Sequence, residues 1–259
     1  MMYNHYMSAK LTSYSQSVNV NESLQDTIAF CARVSNPTNQ NNSKTNEKLL
    51  EYLIKHHHWS PFEMVSICLE INTTRDIARQ LLRHRSFSFQ EFSQRYAVVN
   101  EPFMTKEARL QDHTNRQNSI VTEDDALHLF SFKTPAKRAV MSGEGDADCA
   151  SSMRNGVKQS WIEKQIEIAE KSQQIYTWAL DNGIAKEQAR TVLPEGMTPS
   201  RMYVNGTVRS WIHYIQLRTS IETQKEHREL TLACAEAIAP IFPYILSFCS
   251  NSRENNSST

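Results

Sequence analysis

The chain has 259 residues, 39% of them hydrophobic, and its 28 Lys+Arg balance 28 Asp+Glu to a formal net charge of zero. That length can bury a sizeable core as one large domain or two small ones, and the neutral balance excludes a protein that coats a polyanion over its whole surface. No stretch approaches the roughly 18 apolar residues of a membrane span, and Met1 to Lys10 lacks the apolar centre of a secretory signal.

The elements follow in chain order. Leu24, Ile28 and Cys31 recur at i, i+4 and i+7, so residues 24–34 read as a helix. Residues 36–46 are Asn-rich and polar, and are expected to be poorly ordered. A second helix is expected over 46–55, ahead of the run His56-His57-His58. Over 64–72, Val65, Ile67, Leu69 and Ile71 alternate with Ser66, Glu70 and Asn72, the period of a strand with one buried face. Thr74 suits an N-cap with Asp76 in the first turn, opening a helix to about Arg83. Residues 86–99, rich in aromatic and β-branched side chains, read as extended; 112–118 and 141–156 read as polar loops.

The second half is predicted to be helical. Ile162, Ile166, Ala169, Tyr176 and Leu180 keep helical spacing up to the stop at Asp181-Asn182-Gly183. A short helix is expected over 185–193, ended by Pro194, and two longer ones over 200–218 and 223–248, the last bent near Pro240 and Pro243. The tail, 250–259, has no apolar residue and is expected to be disordered. The fold class is therefore α+β: a small antiparallel or mixed sheet packed with a largely helical C-terminal half, in a single domain.

The densest chemistry runs from Arg83 to Arg95. Between Thr73 and Tyr96, five arginines (75, 79, 83, 85, 95) face two acids, Asp76 and Glu91, a local net of +3 in a neutral chain. Arg75, Arg79 and Arg83 are four apart and would share a helix face, with Gln80 one turn before Arg83. Arginine suits bidentate phosphate contacts, Ser88 and Ser93 add hydroxyls, and Glu91 adds an acceptor for a ribose hydroxyl or a ring N–H. The same charges would also suit a solvated helix face, or a basic nucleic-acid-binding module. The six glycines (143, 145, 156, 183, 196, 206) build neither G-x-G-x-x-G nor a P-loop.

Arg83-His84-Arg85, then seven residues, then Ser93, resembles the signature of the flavin-dependent thymidylate synthases. Ala32 to Ser35, Leu50 to Glu63 (with His58-Trp59-Ser60-Pro61-Phe62-Glu63), Ala189 to Pro194, and Arg209 to Arg218 resemble further blocks of that family in the same order. Together they cover about residues 24–245, with an insertion at about 105–158. The resemblance implies reductive methylation of dUMP to dTMP, with methylenetetrahydrofolate as one-carbon donor, FAD as hydride carrier and NADPH as reductant. It implies a cytoplasmic homotetramer with shared active sites, bound to neither nucleic acid nor membrane. The alternative within the family is a flavin- and nucleotide-binding member without methyl transfer.

On this resemblance dUMP would be held by Gln80, Leu81, Leu82, Arg83, Glu91, Phe92, Ser93, Gln94, Arg95, Arg190 and Arg218, with Arg218 as the catalytic cation. FAD would contact Ser60, Glu63, Arg83, His84, Arg85, Glu91, Thr207, Arg209 and His213. His58 and Tyr96 would lie on the folate side. Thr207 stands where many relatives have Asn, Glu222 where His is frequent, and Gln94 where Gly is frequent.

Other candidates are weaker. Three adjacent histidines cannot all face one ion from a regular element, so no metal site is expected. The five cysteines (31, 68, 149, 234, 249) form no C-x-x-C pair and fit small buried hydrophobes in a reducing compartment. None stands in the Pro-Cys-His setting of the folate-only thymidylate synthases. Trp161, Trp178 and Trp211 are expected to be core or interface anchors, and Asp124-Asp125 a solvated turn or helix start.

Overall fold

Val65, Ile67, Leu69 and Ile71 are all buried to 1% exposure or less, while Ser66, Cys68, Glu70 and Asn72 between them are partly exposed. In the computed structural model of the protein this alternation forms the strand Ser66–Thr74, whose apolar side faces the core. The described residues are 7–18, 22–112, 114–120 and 147–250, with 147–158 as backbone alone. They fall into two compact units, Met1–Ser93 with Thr198–Thr259, and Gln94–Met197.

The first unit holds a four-stranded antiparallel sheet. Its strands are β1 (Ser8–Tyr14), β2 (Ser66–Thr74), β3 (Ser88–Glu91) and, later in the chain, Pro199–Thr207; their spatial order places β2 and the late strand at the centre. The late strand corrects the expectation of one helix over 200–218. Met202, Val204 and Gly206 are buried while Arg201, Tyr203 and Asn205 are exposed, a period of two that rules out a helix until Val208. The extended reading of 86–99 likewise contracts to β3.

Helices cover one face. α1 (Leu24–Ala32) begins with a reciprocal capping box between Ser23 and Asp26, and α2 (Asn46–Lys55) lies against it. The Asn-rich stretch between them is ordered, contrary to expectation. It forms 3-10 turns at Pro37–Asn39 and Ser43–Thr45, and buried Arg33 donates to Asn46 Oδ1 at 2.5 Å and to Thr45 Oγ1 at 3.1 Å. Asn46 in turn donates to Asp26 at 2.6 Å. These bonds offset an ordering cost that composition alone does not. α3 (Arg75–Leu81) ends two residues before Arg83; Thr74 occupies its N-cap, but its hydroxyl donates to Asp76 at 2.5 Å and caps no backbone N–H.

In the second unit a hairpin of β4 (Leu110–Gln111) and β5 (Ser119–Ile120) closes over Asp112, whose carboxylate accepts from Thr114 N and Asn115 N. α4 (Ala147–Asp181) takes in part of the stretch expected to be a loop, and is followed two residues after its end by Gly183, whose φ of 75° favours glycine. Its buried side carries Gln165, Ser172, Tyr176 and Ala179; Gln165 bonds both the N–H and the carbonyl of Lys106 at 2.8 Å. Trp161 and Trp178 on this helix are 47% and 59% exposed, so neither is a core anchor. α5 (Lys186–Ala189) runs into a 3-10 turn at Arg190–Val192.

The strand Pro199–Thr207, here β6, leads directly into α6 (Val208–Arg218), followed by α7 (Lys225–Ile238). Trp211, fully buried, donates its indole N–H to the carbonyl of Ile67 at 3.0 Å and so fastens α6 onto β2. The expected 223–248 helix stops at Ile238, and a 3-10 turn at Pro243–Phe248 follows. Among the described residues no helix is long and apolar enough to cross a membrane. The tail beyond Ser250 and the pair Asp124-Asp125 lie outside the described residues.

Candidate active site

The Arg-rich stretch turns sharply after α3. Leu81 is fully buried, so any ligand contact from it would be through its backbone; Leu82 caps the helix, and Arg83 and Arg85 point outward. Between them His84 turns inward. Its Nε2 accepts the Nε–H of Arg218, the last residue of α6, at 3.0 Å. The imidazole meets the ring of Tyr214 edge-on at 5.0 Å. Burial, then the charge of Arg218, pushes the pKa of His84 down to about 4, so the ring is neutral and able to accept that bond.

Behind this pair lies a buried residue that sequence reasoning did not single out. His227 on α7 has no exposed surface, and its ring nitrogens lie 3.1 Å from the Tyr214 hydroxyl and 3.1 Å from Gln80 Oε1. Its pKa is driven to about 3, mainly by burial and then by Arg218 and His84. Gln80 and His227 are 147 residues apart, and no periodic signal in the sequence joins them. Burial also raises the Tyr214 phenol well above its usual range.

Glu91 ends β3 and accepts from Ser200 Oγ on β6 at 2.7 Å and from Arg75 at 3.4 Å. Arg75 is thus drawn to Glu91, and Arg83 lies beyond α3, so the expected three-arginine helix face does not form. Phe92 donates its N–H to the Arg201 carbonyl at 2.9 Å, and Ser93 is exposed. Gln94, Arg95, Tyr96 and Arg190 belong to the second unit. There Arg95 pairs with Glu187 at 3.4 Å, Tyr96 is 86% exposed, and Gln94 is buried with no hydrogen-bond partner for its Nε2 among the described residues. Arg190 caps the C-terminus of α5.

A second group gathers at the other end of α6. Thr207 is its N-cap, accepting from Ser210 N at 3.2 Å. The 3-10 turn Ser60–Glu63 packs against this helix, and Arg209 pairs with Glu63 at 2.5 Å. His213, one turn on, sits edge-on to Trp59 at 5.6 Å. Burial and the neighbouring Arg209 lower its pKa, against an opposing pull from Glu63. His57 adopts a φ of 57°, a left-handed conformation uncommon for a non-glycine residue, and turns the chain toward His58 and Trp59. Glu63 and Arg209 remain about two-fifths exposed. With exposed Ser60 beside them they offer a guanidinium, a carboxylate and a hydroxyl at the surface; the guanidinium suits a phosphate and the carboxylate accepts from a hydroxyl or a ring N–H, a set that fits a dinucleotide cofactor such as FAD. Among the described residues no group of three or more His, Cys, Asp or Glu could hold a metal ion.

Residues 18–244 match the family of thymidylate synthase complementing proteins. The chain belongs to this family. It is 46% identical over 243 residues to a probable flavin-dependent thymidylate synthase of Paramecium bursaria Chlorella virus 1, covering 92% of this chain and 97% of the relative. It is 44% identical over 218 residues to the flavin-dependent thymidylate synthase of a Synechocystis species, covering 84% and 86%. The fold is similar to that of a UMP/dUMP methylase from Streptomyces cacaoi, solved bound with 5-Br dUMP. The TM-score is 0.70, at 24% identity and over 93% of each chain. The α+β reading and the family resemblance drawn from the ordered blocks are thereby borne out.

Proposed function

We propose that this family member is an FAD-dependent thymidylate synthase that reductively methylates dUMP to dTMP, with methylenetetrahydrofolate as one-carbon donor and NADPH as reductant. The observation that carries the reading is the Arg218–His84 pair. The neutral imidazole takes up the Nε–H of Arg218, which leaves the two terminal nitrogens of the guanidinium for a ligand. A fixed cation of this kind stabilises negative charge that grows on a uracil ring as the N3 proton leaves, and so makes C5 electron-rich.

Gln80, Leu81, Leu82, Arg83, Glu91, Phe92, Ser93, Gln94, Arg95, Arg190 and Arg218 would bind dUMP. FAD would be held by Ser60, Glu63, Arg83, His84, Arg85, Glu91, Thr207, Arg209 and His213, and when bound it supplies hydride chemistry that side chains cannot. His58 and Tyr96 would face the folate. The chain would act in the cytoplasm as one domain bearing an insert at 105–158, in a homotetramer that shares its sites. Convergence of arginines from several subunits suits a neutral protein whose positive charge is local.

The test is an absorption spectrum of the purified protein, titration with dUMP, and an assay of methyl transfer. A flavin spectrum perturbed by dUMP, with dTMP formed, supports the reading. A colourless protein whose affinity for nucleic acid falls steeply with salt would sink it.

A further inference from the structure

Five side chains of the first unit form an unbroken polar line. Gln224 Nε2 lies 2.9 Å from Glu226 Oε2, and Gln80 Nε2 lies 2.8 Å from Gln224 Oε1. Gln80 Oε1 lies 3.1 Å from His227 Nδ1, and His227 Nε2 lies 3.1 Å from the Tyr214 hydroxyl. Two amides and an imidazole could each be turned over in place, so the direction of the line must come from a member that cannot be reversed. An ionised carboxylate is such a member, because it only accepts.

We propose that Glu226 is a positioning residue that orients the Gln80 amide at the substrate site, acting through Gln224. The carboxylate draws the NH2 of Gln224, whose carbonyl then faces Gln80. Gln80 commits one N–H to that carbonyl and turns its own oxygen to His227. His227 must then carry its proton on Nδ1 and accept the Tyr214 O–H at Nε2. One N–H and one lone pair of Gln80 remain uncommitted, each on a fixed atom.

The surroundings agree. Glu226 is only 8% exposed and lies in the first turn of α7, at the partially positive end of that helix. His227 is kept neutral by burial and by Arg218, as a ring with a single proton requires. Reversing any one member would set two donors or two acceptors face to face inside the protein.

The proposal rests on the assignment of Gln80 to dUMP. On the holoenzyme, Glu226→Gln keeps the shape but adds donors, and should raise the dUMP Kd about tenfold, the equivalent of one net hydrogen bond. Glu226→Asp should recover part of this. In a Gln80→Ala background, Glu226→Gln should have no further effect, because the two act through one amide. Additive losses, or a wild-type Kd in Glu226→Gln, would overturn the proposal. So would wild-type affinity in Gln80→Ala. Independently of any variant, 15N-labelled histidine in the wild-type protein should place the His227 proton on Nδ1; the Nε2–H form would overturn the relay. A wild-type holoenzyme indifferent to dUMP would instead refute the functional reading, and the tautomer would still decide the relay.

Discussion

Arg218 and His84 are 134 positions apart in sequence, yet the Nε–H of one meets the Nε2 of the other at 3.0 Å. The bond fixes the guanidinium by its inner nitrogen and leaves the outer fork for a ligand. Arg218→Ala should retain flavin and lose about 100- to 1000-fold in kcat, the range of one preorganised electrostatic donor. Arg218→Lys should recover little, since an ammonium cannot bond His84 and present a planar fork together. Unchanged turnover in Arg218→Ala would refute the role assigned to it.

Acid should destabilise the fold through its buried histidines. His84 and His227 titrate at about 4 and about 3, chiefly because of burial and then because of Arg218. In the unfolded chain both titrate near 6.5. A depressed pKa means that the unfolded chain binds more protons below about pH 6.5. The stability these rings contribute is therefore complete above 6.5 and is lost as pH falls through about 4 and 3. Facing them are Arg218, the Tyr214 phenol and Gln80, with Glu226 two links further on. Thermal melts between pH 7 and 4 should show the decline, and His227→Gln should make it shallower. A flat profile in the wild type would contradict two neutral buried rings.

Gly206 is a packing position. It pairs with Ile67 across the sheet, and a methyl group there would run into the ring of Phe87, which itself packs on Trp211 with centroids 4.6 Å apart. Gly206→Ala should cost about 1–3 kcal/mol of stability, as overpacking of a filled core does. A Tm equal to that of the wild type would show that the ring can give way.

The Glu63–Arg209 pair should matter to the cofactor more than to the fold. Both side chains are about two-fifths exposed, so solvent screening holds their mutual contribution to stability below about 1 kcal/mol. Glu63→Gln should leave the melt almost unchanged and weaken FAD binding about tenfold, read from the fluorescence of released flavin. A large fall in Tm at unchanged flavin affinity would reverse the assignment.

Much was legible in the residues themselves. The alternation of Val65 to Ile71 announced the central strand, and the spacing before Asp181-Asn182-Gly183 announced the end of α4, because strand and helix periods are local properties of the chain. The ordered blocks around Arg83 and Arg209 led to the family through residue identity alone. Other features escaped a local reading. Residues 200–207 became a strand because β2 and β3 supply hydrogen-bond partners on either side, which no window of sequence contains. The Asn-rich stretch was ordered by Arg33, a residue outside it.

The same division runs through the candidate site. Sequence by itself determined which groups are available: the arginines, the acids, the hydroxyls and the family to which their order belongs. Only the tertiary structure decided which of them act on one another. It set Arg75 on Glu91 and Arg209 on Glu63, and it enclosed His84 and His227 beside Arg218 so that both rings stay neutral. The physical reason is that a charge or proton is governed by burial and by its nearest partners, and folding brings those together, from 134 positions apart in the case of His84 and Arg218.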